Sequence, residues 1–306
     1  MKPSALLRIA LVFLLILLVF DSVAQNRNDS LFQASGDALI KQMSTDLPNA
    51  IKEAKDMVFF SDTARFEKFI DAQFKSRQLL AIAFGRMQEL DSAEFWNLEC
   101  LKWAKENKAN SSVWSTLFNL ASNSYSRGYE LTTQDYLDSL LSISLSEDEE
   151  ATFLAQTKMK TFQSKIFREN GEFALATVYA QQALKALPAY ASNPINTHEV
   201  RKRIITQQKA NSLDALGSAF RLLGILDSSE AAYSRAQTQA VLGGRKDYQL
   251  SIGTNQVKLY SSTNQLGKLK STLSKIRLIA REYGSKSILL DYKLTELDYL
   301  VVSGKT

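Results

Sequence analysis

The chain has few of the residues from which most catalytic and metal sites are built. It has one cysteine, Cys100, and one histidine, His198, among 306 residues. A structural zinc site usually takes four cysteine or histidine ligands, so these two residues cannot assemble one. No serine lies in a Gly-x-Ser-x-Gly motif of the kind that carries a hydrolase nucleophile. We therefore predict no enzyme activity, no bound metal and no cofactor.

Proline is also scarce, with four residues in the chain. No segment sustains the alternation of apolar and polar residues that is typical of β-strands. Helix starts are indicated instead by capping boxes, in which a side chain and an acid three residues later satisfy exposed backbone amides. The four boxes are Asp91 with Glu94, Ser146 with Glu149, Asn196 with Glu199, and Asp227 with Glu230. The sequence therefore predicts an all-α fold.

A pattern of small, aromatic and turn residues recurs along the chain. One copy runs through Leu213, Gly217, Phe220, Gly224, Ser229, Tyr233 and Ala236, and another through Gly171, Phe173, Ala176, Ala183 and Pro188. In both copies, five positions separate the turn glycine from the next small residue. Antiparallel helices approach closely where small side chains lie at their crossing. The pattern therefore predicts a series of antiparallel helix pairs.

These residues resemble the tetratricopeptide repeat (TPR). The small position of the second helix is predicted at Ala50, Ala93, Thr133, Ala176, Ser229 and Leu269, at intervals of 40 to 53 residues. The family's usual period is about 34 residues, so longer helices are expected here. The resemblance implies a right-handed superhelical solenoid over residues 25–306, with about six helix pairs and a final helix. In such a solenoid each repeat touches only its neighbours, and the usual function is to bind a protein or peptide.

The first 24 residues are predicted to be a secretory signal peptide. Lys2 and Arg8 are followed by an unbroken apolar run of twelve residues from Ile9 to Phe20, and residues 22–24 match the small-x-small cleavage pattern. A membrane span needs about 20 residues, which disfavours the alternative of a retained anchor. We expect cleavage before Gln25 and a periplasmic or secreted protein of the gram-negative envelope.

The remaining charged and small residues indicate no chemistry of their own. From Gln25 onward the formal charge is +4 and no basic block occurs, which disfavours nucleic-acid binding. Cys100 falls at a small position of a second helix, which predicts a buried spacer, and His198 falls in a first turn, which predicts an exposed side chain. Acids at residues 147–150 occupy a helix start, where the backbone dipole favours negative charge.

The repeat register selects residues for a partner-binding surface. In the family that the chain resembles, the first helix of each pair lines a concave groove. The corresponding positions here are Lys75, Gln78, Ile82, Arg86, Phe118, Ser122, Tyr125, Lys158, Lys165, Arg168, Asn211, Asp214, Ser218, Arg221, Asn255 and Lys258. Most charged members are basic, so we expect an acidic, partly apolar protein or peptide ligand. The alternative, that these residues form ordinary solvated helix faces, stays open.

The last predicted helix, about residues 285–303, has apolar residues on two faces. At 100° per residue, one stripe contains Leu290, Leu294, Leu297 and Val301, and a nearly opposite stripe contains Ile288, Tyr292 and Tyr299. We expect the first stripe to face the preceding helices. The second stripe would then contact another molecule, either a second copy across a two-fold axis or a separate partner. Coverage by a chain tail, or simple exposure, is the alternative.

A second functional class stays open at this point. The repeats are also compatible with the sensory segment of a signalling protein, such as a histidine kinase or a helix-turn-helix regulator, that lacks its output module. No stretch after Leu300 has the length of a membrane span, which favours a stand-alone protein.

Overall fold

The computed structural model describes residues 24–40, 42–43, 46–66, 71–145, 149–191, 199–283 and 286–302. These residues form thirteen α-helices and no strand. The helices are α1 (residues 24–40), α2 (Leu47–Thr63), α3 (Ala72–Arg86), α4 (Leu90–Glu106), α5 (Asn110–Ser126), α6 (Glu130–Leu141), α7 (Glu149–Glu169), α8 (Phe173–Ala191), α9 (Glu199–Leu222), α10 (Leu226–Leu242), α11 (Lys246–Ser262), α12 (Leu266–Tyr283) and α13 (Lys286–Val302). Residues 1–23 of the predicted signal peptide, Ser146, Asn196 and His198 lie outside the described residues.

The described helices pack mainly against their neighbours in the chain, although α7 meets α5 more closely than α6, and α13 packs against α11 as well as α12. The predicted small positions are all buried, and each is the fourth residue of its helix: Ala50, Ala93, Thr133, Ala176, Ser229 and Leu269. Among the described residues there are six pairs, from α1 with α2 to α11 with α12, followed by α13. The predicted all-α fold with sequential helix packing is therefore confirmed.

In five of the pairs, the turn between the two helices contains a residue with a positive φ angle at the same position. Gly128, Gly171 and Gly224 have φ angles of 76°, 82° and 76°, a region that glycine adopts without strain. Gln88 and Asn264 take the same role at 62° and 53°. The buried small position follows every one of these residues by five positions. The spacing that two copies show in the sequence thus holds for five pairs.

Two of the predicted capping boxes act differently in the structure. α4 and α10 each begin one residue before the aspartate of the box, and no side chain caps either helix. Asp91 and Glu94 instead form ion pairs with Arg127 of the next helix pair, at 2.7 and 2.9 Å. Glu230 similarly pairs with Lys268 at 2.7 Å. These acids connect successive pairs because the adjoining turn or helix start supplies a cation.

The two ends of the described chain share one core. A single contiguous cluster of buried apolar side chains includes Met43 and Leu47 near the first pair and Tyr233, Leu250 and Tyr292 from the last helices. Buried side chains of the intervening helices form separate clusters, one in α4 to α7 and one in α8 and α9. The expectation that each repeat touches only its neighbours is therefore wrong at the ends, because the stack curves far enough for the ends to meet.

Charged residues also approach across this junction. Burial alone would raise the pKa of Asp247 on α11, but the ion pair with Arg245, at 2.5 Å, holds that pKa below its usual value. Arg86 of α3 lies close enough to lower it further. Arg86 also donates a hydrogen bond to the carbonyl of Met43 at 3.2 Å. Arg86, predicted for the groove, therefore belongs to the junction between the ends.

The predicted orientation of α13 is wrong. Tyr292 is buried and accepts a hydrogen bond from Arg277 of α12 at 2.7 Å, while Tyr299 packs against the shared core. The other stripe points outward, and its three described side chains are more than half exposed: Leu294, Leu297 and Val301. A tyrosine ring can be buried when its hydroxyl finds a polar partner, and Arg277 supplies that partner. The side chain of Ile288 lies outside the described residues.

Candidate partner-binding surface

The first helices of the central pairs bring four aromatic rings together. The ring of Phe118 stacks on Trp114, with 5.4 Å between ring centroids, and meets Phe162 edge-on at 5.7 Å. Tyr125 also meets Phe162 edge-on, at 5.3 Å. We name these four residues the aromatic cluster. Trp114 and Phe162 were not predicted, although each lies one helical turn from a predicted position on its own helix.

Lys165 adds a positive charge to the aromatic cluster. Its Nζ lies 4.8 Å from the centre of the Tyr125 ring, a favourable cation–π arrangement. The Tyr125 hydroxyl donates to Glu169 at 2.5 Å, and burial together with this carboxylate raises the pKa of Tyr125. Arg168 contacts the same carboxylate at 3.4 Å. Glu169, which was not predicted, therefore neutralises part of the basic surface.

Lys158 carries a charge that the described part of the chain leaves unbalanced. It lies seven positions before Lys165, which places both lysines on one face of α7. Lys158 is half-buried, and burial lowers its pKa with no described carboxylate close enough to offset the effect. Burial also lowers the pKa of Lys165, although Glu169 opposes it. A partly desolvated ammonium group without a counter-ion is costly, and an anionic ligand would relieve that cost.

A second polar group, which we name the Asp214 cluster, joins α7, α9 and α11. Asn255 donates its side-chain amide to the two carboxylate oxygens of Asp214, at 2.9 and 3.2 Å. Burial raises the pKa of Asp214 to about 6, although the hydrogen bond from Asn255 and the charges of Arg168 and Lys258 lower it. The charge of Arg168 thus acts both on Tyr125 of the aromatic cluster and on the Asp214 carboxyl.

Replacing Asp214 with asparagine should stabilise the protein at neutral pH. The carboxyl of Asp214 has a pKa of about 6 in the folded protein and 3.8 in a model peptide. Its contribution to the free energy of unfolding is therefore fully present below about pH 4 and is lost as the pH rises through 6. The asparagine variant should therefore gain roughly 1–3 kcal/mol of unfolding free energy at about pH 7.5 and nothing at about pH 3.5. Urea denaturation of both proteins at the two pH values measures the difference. An equal effect at both values would contradict this explanation.

The predicted surface residues at the two ends have different surroundings. Lys75 forms an ion pair with Asp71, one turn away on the same side of α3, at 3.0 Å. Arg86 lies at the junction described above. Arg221 lies close to Tyr233 and Lys258 close to Asp214, so both border the Asp214 cluster. The predicted residues of α5, α7, α9 and α11 therefore include members of the aromatic cluster and of the Asp214 cluster, whereas Lys75 and Arg86 of α3 have other partners.

The lone cysteine is structural. Cys100 is fully buried, with its sulfur 3.8 Å from the carbonyl oxygen of Phe74, and burial raises its pKa to about 12. A thiol with so high a pKa is not a nucleophile at neutral pH. The prediction that Cys100 is a buried spacer is confirmed.

Within the described ranges, no three histidine, cysteine, aspartate or glutamate residues gather in a way that could hold a metal ion. None of the described helices combines the length and the apolar character that a membrane crossing requires. No protein-family model matches the chain, and no curated protein matches it.

Proposed function

We propose that this chain is an exported, non-enzymatic scaffold that binds an acidic, partly apolar protein or peptide segment. The binding surface is the concave face of a right-handed, tetratricopeptide-type superhelix. The observation that carries the proposal is the contact between Lys165 of α7 and the partly exposed ring of Tyr125 in the aromatic cluster. Within the cluster, Trp114 and Phe162 are buried and support the partly exposed rings of Phe118 and Tyr125, which offer an apolar contact area. Partly desolvated ammonium groups form strong hydrogen bonds with carboxylates.

The protein acts in the periplasm or outside the cell. The order of basic, apolar and small residues in positions 1–24 supports this location. Mature protein isolated from the cell envelope or the medium should begin at Gln25, which N-terminal sequencing would establish. Recovery of a chain that still begins at Met1 would contradict export by cleavage.

Reversing two charges of the proposed surface should abolish ligand binding. In the variant with Lys165→Glu and Arg168→Glu, two attractive charges become repulsive beside Glu169 and Asp214. Binding is measured by fluorescence anisotropy with labelled peptides that combine glutamate with phenylalanine or tyrosine. The wild-type protein should bind these peptides with an affinity that falls as salt is added, because exposed charges are screened. The variant should lose at least tenfold in affinity, about 1.4 kcal/mol.

The matched control reverses Lys270 and Lys275 to glutamate. Both residues are exposed on α12, outside the proposed surface, and the net charge changes by the same amount. This control should bind like the wild-type protein, and thermal unfolding followed by circular dichroism should show that all three proteins are folded. Equal loss of binding in both variants would show that only overall charge matters. Peptides of reversed charge that bind equally well would overturn the proposed ligand class.

Lys158 allows a subtler test, because its charge should favour binding at the expense of stability. Lys158→Met keeps an unbranched side chain, one atom shorter, and removes a partly desolvated charge that has no described counter-ion. The variant should unfold at a slightly higher temperature than the wild-type protein and bind the acidic peptides more weakly. Such an exchange of stability for function is typical of binding residues. A variant that is less stable and binds normally would show that Lys158 is a structural residue.

A further inference from the structure

The outward face of α13 is an apolar surface that the described chain leaves uncovered. Leu294, Leu297 and Val301 expose 53, 55 and 59% of their surface. Leu297 lies 40 positions after Val257 and 80 after Gly217, at the equivalent place in the repeat. Those two residues are buried in first helices that have their own second helix, and Gly217 lies directly under Tyr233 of α10. Leu297 therefore occupies a position that, in the two preceding pairs, is buried in a first helix paired with its own second helix.

The spacing of the apolar residues matches a two-stranded coiled coil. Leu290, Leu294, Leu297 and Val301 follow one another at intervals of four, three and four residues, which are the d and a positions of a heptad. Leucine then occupies both d positions, and the three a positions contain Ser287, Leu294 and the β-branched Val301. Leucine at d with a β-branched residue at a favours two parallel strands over larger bundles, and Val301 with the leucines at d fits this rule.

The charges beside this stripe fit a parallel pair and oppose an antiparallel one. In the same register, Lys286 and Lys293 take g positions, whereas Asp291 and Asp298 take e positions. In a parallel coiled coil, each g residue faces the e residue five positions later on the other chain. Lysine would then face aspartate at both places. An antiparallel pair would place lysine beside lysine and aspartate beside aspartate.

We propose that a second copy of this chain binds the outward face of α13, and that the two α13 helices form a short parallel coiled coil. The inward face is already occupied, because Tyr292 is buried and Glu296 pairs with Arg277 of α12. Pairing therefore leaves the contacts that hold α13 to its own solenoid intact. A helix of 17 residues extends only about 25 Å, so the dimer is weak and its population depends on concentration. The inference does not depend on the proposed ligand surface.

Sedimentation velocity over a range of concentrations tests the dimer. The purified protein should shift from monomer to dimer as its concentration rises, and Leu297→Lys should leave it monomeric at every concentration. Because Leu297 is exposed, this variant should keep the thermal unfolding curve of the wild-type protein. The matched control is Leu131→Lys on α6, where a leucine that is 85% exposed lies on another helix. This control should dimerise normally, and a wild-type protein that stays monomeric throughout would overturn the proposal.

A disulfide distinguishes the orientation of the two helices. In a parallel pair, the two copies of residue 301 lie side by side, so Val301→Cys should give a disulfide-linked dimer on mild oxidation. In an antiparallel pair, these residues would lie far apart and no link would form. The natural Cys100 is fully buried and should not interfere. Dimers that form without this link would overturn the parallel arrangement.

Charge exchange provides an independent measurement of the same arrangement. Lys293→Asp and Asp298→Lys should each weaken the dimer, because each places like charges opposite one another. The double variant restores opposite charges and should recover the wild-type dissociation constant. Single and double variants that dimerise equally would contradict the assigned register.

Discussion

Replacement of Gly217 with alanine is expected to lower the free energy of unfolding by about 2–3 kcal/mol. The added methyl group would lie 2.7 Å from a ring carbon of Tyr233, closer than atoms of this kind approach in folded proteins. Tyr233 has no exposed surface, and its hydroxyl donates to Ser218 at 3.0 Å, so the ring cannot simply move away. Because alanine favours helices over glycine by about 1 kcal/mol, the measured loss understates the steric cost.

Gly85→Ala is the matched control for this prediction. Gly85 also lies in the first helix of a pair, but an added methyl group would meet no atom closer than 4.0 Å. This variant should be as stable as the wild-type protein or up to about 1 kcal/mol more stable, because only the helix preference changes. Urea denaturation of the three proteins gives the comparison. Similar losses in both variants would show that the close crossing at Gly217 does not determine stability.

The repeat could be predicted from sequence because its main requirements are local. A left-handed turn residue and a small residue five positions later are both set by the geometry of one helix pair. The spacing from Gly224 to Ser229 therefore predicts the same feature at Gly128 and Thr133, where the sequence signal is weaker. Capping residues were less informative, since Asp91 forms an ion pair with Arg127 of the next helix pair and does not cap its own helix.

The orientation of α13 could not be predicted in the same way. The stripe of leucines and valine is the more apolar of the two, so the sequence pattern favours it as the inward face, and the prediction follows that preference. The tyrosine stripe is buried because Arg277 of α12 offers a hydrogen-bond donor to Tyr292. Arg277 lies 15 positions before Tyr292 on a different helix, so only the packing of α12 on α13 brings the two side chains together.

The candidate surface was predicted in part. Phe118, Tyr125, Lys165 and Arg168 do form one face, because the repeat register fixes which side of each first helix they occupy. The neutralising role of Glu169 was missed, although it adjoins Arg168 in the sequence, because the register assigned it to no groove position. Arg86 was misplaced because the curvature of the whole stack, which no single repeat encodes, brings α3 towards α11.

The second large effect is a loss of stability expected when the core shared by the two ends of the chain is disrupted. Met43 is 1% exposed and belongs to the cluster that also contains buried residues of α11. Replacing Met43 with alanine should cost about 2–5 kcal/mol, as expected for a fully buried methionine. The loss should spread to the other end of the chain. Amide hydrogen exchange in α11, some 200 positions away, should accelerate together with exchange in α2.

Leu140→Ala provides the comparison that separates this effect from general destabilisation. Leu140 is 2% exposed on α6, but it belongs to the separate cluster of α4 to α7. Its removal should therefore accelerate exchange in α5 and α7 and leave α2 and α11 protected. In an open solenoid, cooperative interactions pass only between neighbouring repeats, so a change at Met43 would fade before reaching α11. Rapid exchange in α11 together with slow exchange in α6 after the Met43 change would support direct contact between the two ends. Rapid exchange confined to α1, α2 and α3 would exclude that contact.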